Sequence, residues 1–186
     1  MGLGSNRPHN NLSREAILAS AFAELKNHLA DTRLSPLYET APLHVVDQGP
    51  FLNAAVSGLW SGGVRELLEL IHQLEAKFGR DRSAETRWGE RSLDIDILLF
   101  GDCVMAGPDL VIPHPLLKER AFALRPLLDL WPDAAEPGTG QPYREILAAL
   151  PPQGVCPFGS APACVRSMVS SDSMVSSGMP PITGAV

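Results

Sequence analysis

The 186-residue chain lacks a run of apolar residues approaching the roughly 20 that a membrane span needs, and its start lacks the charged-then-apolar order of a signal peptide. MGLGSN also fails the myristoylation pattern, because Asn6 stands where Ser or Thr is required. Cysteine is sparse: Cys103, Cys156 and Cys164 are odd in number and show no C-x-x-C spacing, which suggests neither a disulfide framework nor a zinc site. A reducing cytoplasm is the expected location, and there the Asn11-Leu12-Ser13 sequon goes unused. Positive charge is also in short supply. With 15 basic against 21 acidic residues, the net charge of -6 argues against generic binding to nucleic acid or to an anionic membrane. Gly2-x-Gly4 lacks the third glycine of a nucleotide loop, since Arg7 holds its place. At 45% hydrophobic content, what remains is a soluble globular protein of one domain with appendages.

The scarce positive charge is unevenly spent. Lys77, Arg80, Arg82, Arg87 and Arg91 all fall within KFGRDRSAETRWGER, a third of the 15 basic residues. Around this cluster the apolar periodicity predicts a helix over Asn10 to Leu29, with Ser13 or Asn11 as N-cap. An extended segment over Thr32 to Thr40 with an edge-type proline follows, then a strand from Phe51 to Trp60. After Ser61-Gly62-Gly63 a second helix is predicted over Val64 to Phe78, closed by Gly79. A strand over Ser92 to Phe100, a possible hairpin return and a helical region over Leu116 to Leu130 complete the pattern. That order gives an α+β fold, the ferredoxin-like βαββαβ arrangement with helices on an antiparallel sheet, short only of its first strand. Met1 to Leu3 are too few for a strand of the usual five or six residues, so the expectation is a truncated first strand and a natural chain beginning upstream. Beyond Leu150 the composition turns to Pro, Ser, Gly, Met and Val. Residues 151–186 therefore read as a low-complexity, disordered tail: a linker, a remnant of a lost fusion partner, or read-through.

Within the predicted strand, Asp94 and Asp96 point to one face while Leu93, Ile95, Ile97 and Leu99 point to the core. Two adjacent carboxylates repel unless a cation or a proton lies between them, and magnesium, which takes one or two carboxylates plus phosphate oxygens, relieves that repulsion. Alone, such a pair more often decorates a solvent face, and an arginine run more often pairs with its own acids, here Asp81, Glu85 and Glu90. Together, Arg80, Arg82, Arg87 and Arg91 beside Asp94 and Asp96 point to Mg-nucleotide chemistry. His114, between two prolines with Lys118 and Arg120 behind it, is a turn residue by default but can be aimed at phosphate. Phe51 and Phe122 are by default core aromatics. Asn53, an amide within a strand, can read the edge of a heterocycle.

LGSN, YETAPL, FLNAAV, LEAKFGRDR, RWGERSLDIDILLFG, VIPHP and ERAFALRPL resemble, in order and spacing, the 6-hydroxymethyl-7,8-dihydropterin pyrophosphokinase family of folate biosynthesis over about Gly2 to Leu150. The resemblance implies transfer of diphosphate from ATP to the hydroxymethyl group of the pterin, releasing AMP. It places two magnesium ions on Asp94 and Asp96, and nucleotide contacts on Glu75, Arg82, Trp88, Arg91, His114 and Arg120. The pterin would meet Thr40, Pro42, Leu43, Asn53 and Asp94, held between Phe51 and Phe122. Arg82, Arg91, Asp94 and Asp96 would carry catalysis, and the loops before the second strand and around Arg82 to Trp88 would close over the substrates. The departures are the short first strand, His44 after Pro42-Leu43, Pro115 after His114, and the Ser-rich tail. Two other readings remain at this level: a non-catalytic ferredoxin-like binding module, and a defective or fragmentary copy cut from a larger folate enzyme fusion.

Overall fold

In the computed structural model, residues 1–42, 48–80 and 89–159 are described. Ser13 starts the first helix, α1 (Arg14–Leu25), its hydroxyl accepting the Ala16 N–H as an N-cap should. The second, α2 (Val64–Lys77), opens with the Glu66 carboxylate accepting the Gly63 N–H. It closes where Gly79 takes φ +84°, and a side chain there would run into the His9 ring. Both helices are shorter than the apolar periodicity predicts, as fraying ends usually are.

The first strand requires a correction. Gly2–Ser5 form β1, which lies inside the sheet between β4 (Phe51–Leu59) and β5 (Asp94–Asp96), antiparallel to both. Four residues suffice because both edges are paired, and Met1 extends the ladder by exchanging hydrogen bonds with Val56 at 2.8 and 2.9 Å. The first strand, expected to be all but missing, is therefore present over these four residues, and Gly4 and Ser5 belong to it rather than to the loop.

The extended segment before β4 divides at Pro36 into β2 (Ala30–Leu34) and β3 (Tyr38–Thr40). Proline has no N–H to give the ladder. Ser35 fills the gap: its N–H donates to the Ala55 carbonyl and its Oγ accepts the Ala55 N–H, both at 2.9 Å. β2 and β3 thus share one edge of β4, the first along Val56 to Leu59 and the second along Phe51 to Asn53. A hairpin of β6 (Met105–Ala106) and β7 (Val111–Ile112) is the predicted return. A 3-10 turn over Leu117–Glu119 and α3 (Ala121–Leu130) occupy the predicted helical region. The short α4 (Tyr143–Ala149) carries too few residues to show a period. β8 (Cys156–Pro157) pairs with β3, giving the sheet order β5-β1-β4-β3-β8. Cys156 is disulfide-bonded, a bridge the odd cysteine count does not suggest.

The sheet is antiparallel throughout, and the class is α+β as expected. One face sends Leu3, Leu52, Ala54, Val56 and Ile95 into a core with Ile17, Leu18 and Leu25 of α1 and Leu67, Ile71 and Leu74 of α2. A second cluster joins Leu98, Leu117, Leu124, Leu127, Tyr143 and Ile146, tying α3 to α4. Among the described residues no helix is long and apolar enough to cross a membrane.

Candidate functional site

Alternation along three adjacent strands decides what faces the cleft. With Leu3, Ala54 and Ile95 turned toward the first core, the opposite face of β1, β4 and β5 presents Gly2 and Gly4, then Asn53, then Asp94 and Asp96. These five residues line one cleft, together with Thr40 at the end of β3, Pro42 after it, Phe51, Arg91, and Arg120 and Phe122 at the start of α3. The glycines matter because a Cβ on Gly4 would sit between Asn53 and Asp94, at 3.7 and 3.8 Å, and fill the floor.

At the charged end Asp94 holds two arginines, one on each oxygen. Arg80 Nη1 reaches Oδ1 at 2.5 Å, and Arg91 Nη1 reaches Oδ2 at 2.7 Å. Burial would push this carboxyl up, but Arg91 and Arg80 outweigh it and hold the group below its ordinary value. Asp96 has weaker company, His114 Nε2 at 3.9 Å and Arg120 Nη1 at 3.7 Å from Oδ2. Burial, followed by the neighbouring Asp94 charge, pushes Asp96 up to about 6. Burial and then Arg120 press the His114 imidazole down to about 4, so it is neutral at pH 7, with Nδ1 accepting the Leu116 N–H. His114 follows a cis Ile112–Pro113 bond, and its N–H donates to the Leu98 carbonyl. The Arg120 guanidinium lies 5.5 Å from the Phe122 ring centroid, a cation–π contact. At the other end Asn53 Nδ2 donates to Thr40 Oγ1 at 2.9 Å.

Glu75 is not on the cleft. It is 1% exposed on the α2 side of β5, where its carboxylate accepts the Ile95 N–H at 2.9 Å and pairs with Arg80. It acts from behind, fixing the backbone between the two aspartates and the arginine that grips one of them. Glu75→Gln keeps an acceptor for Ile95 but removes the charge facing Arg80, and is expected to lower the unfolding free energy by about 2 kcal/mol in a denaturant titration.

Of the residues expected from the sequence, Thr40, Pro42, Phe51, Asn53, Arg91, Asp94, Asp96, Arg120 and Phe122 meet in the cleft, and His114 flanks it through Asp96. Leu43, Arg82 and Trp88 lie outside the described residues. Two contributors have no sequence signal, and a third, Arg80, is expected only as a phosphate-facing arginine. Arg80 is visible in the sequence as one of the arginine cluster, but nothing singles it out as the partner of Asp94. Gln48 lines the cleft, and Asn6 bonds to Gln48 and to Arg91; partners 42 and 85 residues away leave no local signal.

A carboxylate pair flanked by arginines shares one cleft with two phenylalanines and a strand amide, an arrangement with the chemistry to take a polyanion beside a flat polar ring in an α+β fold. The model of the 7,8-dihydro-6-hydroxymethylpterin-pyrophosphokinase (HPPK) family matches residues 1–132, and the chain belongs to that family. It is 43% identical over 132 residues to the 2-amino-4-hydroxy-6-hydroxymethyldihydropteridine pyrophosphokinase of Bacillus subtilis, covering 70% of this chain and 75% of that protein. With the protein of the same name from Pseudomonas aeruginosa the identity is 40% over 158 residues, covering 83% and 93%. The mitochondrial folate synthesis bifunctional protein of Arabidopsis thaliana is 44% identical over 124 residues, 67% of this chain and 22% of that protein. The chain thus spans about a fifth of the length of the plant relative.

Proposed function

We propose that the chain transfers the β,γ-diphosphate of ATP to 6-hydroxymethyl-7,8-dihydropterin, giving the pterin diphosphate and AMP in tetrahydrofolate biosynthesis. The observation that carries this reading is the presence, in one cleft, of the Asp94–Asp96 pair with Arg91 and Arg120 alongside Phe51, Phe122 and Asn53. The pterin hydroxyl oxygen forms a bond to the β-phosphorus, the bond from that phosphorus to the α-phosphate oxygen breaks, and AMP departs with the electron pair. Arg91 and Arg120 orient the phosphates and offset their charge, and burial of the cleft strengthens both effects. Phe51 and Phe122 hold the ring, and Asn53, positioned by Thr40, reads its edge.

Asp94 and Asp96 fit a divalent cation. They share the cleft face, and Asp96 carries the raised carboxyl of a like-charged pair that a cation would relieve. Magnesium bound there, as two ions with ATP, would screen the triphosphate and acidify the attacking hydroxyl. We assign the βαββαβ core to the ferredoxin-like arrangement, with the diphosphokinase domain at 1–150. We extend the nucleotide and pterin sites to Arg82, Trp88 and Leu43 by family likeness.

The test is AMP formation by the purified chain with Mg and ATP. AMP should appear only when the hydroxymethyl-dihydropterin is added and should stop when magnesium is chelated; pterin-independent AMP release by folded protein defeats the proposal. Asn53→Ala is expected to weaken pterin binding about 10- to 100-fold in calorimetric titration, with nucleotide binding unchanged, because it deletes the amide that pairs with the ring edge.

A further inference from the structure

Asn6 is not among the residues that line the cleft, yet it joins two separate segments that do. It is 4% exposed, at the end of β1. Its Oδ1 accepts the Arg91 N–H at 2.7 Å, and its own N–H donates to the Arg91 carbonyl at 3.0 Å, so the Arg91 backbone is held on both sides. The remaining donor of the side chain, Nδ2, is given to Gln48 Oε1 at 2.9 Å. Arg91 lines the charged end and grips Asp94, whereas Gln48 lines the cleft on the segment between Pro42 and Phe51.

A residue that only capped the Arg91 turn would need an acceptor alone. Here the second half of the amide is directed at a half-buried side chain on a different segment, and among side chains of this size only asparagine offers an acceptor and a donor on one rigid plane. We infer that Asn6 is a positioning residue that couples the nucleotide end of the cleft to the pterin end. A ligand that orders Arg91 orders Asn6, and through its amide Gln48, so the second ligand meets a wall already in place. The effect is reciprocal and requires no displacement of the fold. The inference rests on the diphosphokinase reading.

Calorimetric titration of the full chain tests it, using 6-hydroxymethylpterin and an α,β-methylene ATP analogue with magnesium, in which the bond to be broken is replaced so that no transfer occurs, each added with and without the other. In the wild-type chain each ligand is expected to tighten the other about tenfold, within the usual range of coupling between sites. Asn6→Ser keeps an oxygen acceptor for the Arg91 N–H but has no Nδ2 to give to Gln48. Its coupling factor should fall to near one, with each ligand alone binding within about threefold of wild type. Gln48→Met cuts the same bond from the half-buried side, and for it only the coupling factor is read. The double variant should lose nothing further. Wild-type coupling in both single variants overturns the inference, as does a loss of coupling matched by equal loss of both binary affinities. If the wild-type chain binds both ligands without coupling, the inference alone falls. If it binds neither, the diphosphokinase reading falls and the inference with it.

Discussion

Asp96→Asn is expected to cut diphosphate transfer by about a thousandfold and at the same time to make the ligand-free protein more stable. The rate falls because half of the carboxylate pair opposed to the nucleotide's metal is lost. Stability rises because the carboxylate is held in a site that disfavours its charge, through burial first and Asp94 second. The folded carboxyl sits at about 6, above its ordinary 3.8, so its contribution to stability is complete below about pH 4 and is lost as pH rises through 6. At pH 7 the wild-type protein bears the full penalty and the amide bears none. The side chain is 37% exposed, so solvent screening trims the penalty to about 1 kcal/mol, or a melting temperature higher by about 2 to 4 °C. His114 acts with the opposite sign: its depressed imidazole contributes stability above about 6.5 that fades as pH falls toward 4. Because His114 touches Asp96, melting curves of variant and wild type between pH 4 and 8 are compared with those of a His114→Gln pair to separate the two contributions. Magnesium should raise the wild-type melting temperature at pH 7 and leave the variant's nearly unmoved. A variant less stable than wild type at pH 7 would remove the charge-repulsion account of the aspartate pair.

Arg91→Ala is the second large effect. This side chain supplies one of the two cations on Asp94 and, on the proposed reaction, a donor to the phosphates. Transfer should fall by about two to three orders of magnitude. The fold should lose about 2 kcal/mol, because Asp94 keeps Arg80 but surrenders its leading counterweight to burial. The lowered Asp94 carboxyl contributes stability above its ordinary 3.8 that disappears as pH falls through the folded value. In the variant this acid-side loss should shrink. Arg91→Lys restores the charge without the planar fork and should recover less than about tenfold of the lost rate. A lysine variant equal to wild type would show that charge alone suffices. AMP release at pH 7 and denaturant midpoints at pH 7 and at about pH 3, below the ordinary carboxyl value, read all of these outcomes.

Most of the cleft is legible in the chain because its chemistry is carried by short strands. Alternation puts Asp94 and Asp96 on one face without any knowledge of tertiary structure, and it does the same for Asn53 against Leu52 and Ala54. What escapes depends on distance or on pairing. A four-residue β1 looks too short until both of its neighbours are known. The division at Pro36 is visible as a proline, but that β2 and β3 share one edge of β4 is not. Glu75 lies on the apolar face of a helix, and its partners, the Ile95 N–H and Arg80, come from segments that the helix period does not reveal. Asn6 sits in a segment whose local signal is only a turn.

The Pro36 interruption gives β4 two separate tenants. Phe51 to Asn53 are hydrogen-bonded to the β3 half, with Phe51 and Asn53 on the cleft, whereas Val56 to Leu59 are hydrogen-bonded to the β2 half, where Gly58 lies against Leu29. A protein engineer can therefore vary positions 40, 51 and 53 to reshape the cleft, and separately improve the β2 margin for heat tolerance, with little interference between the two campaigns.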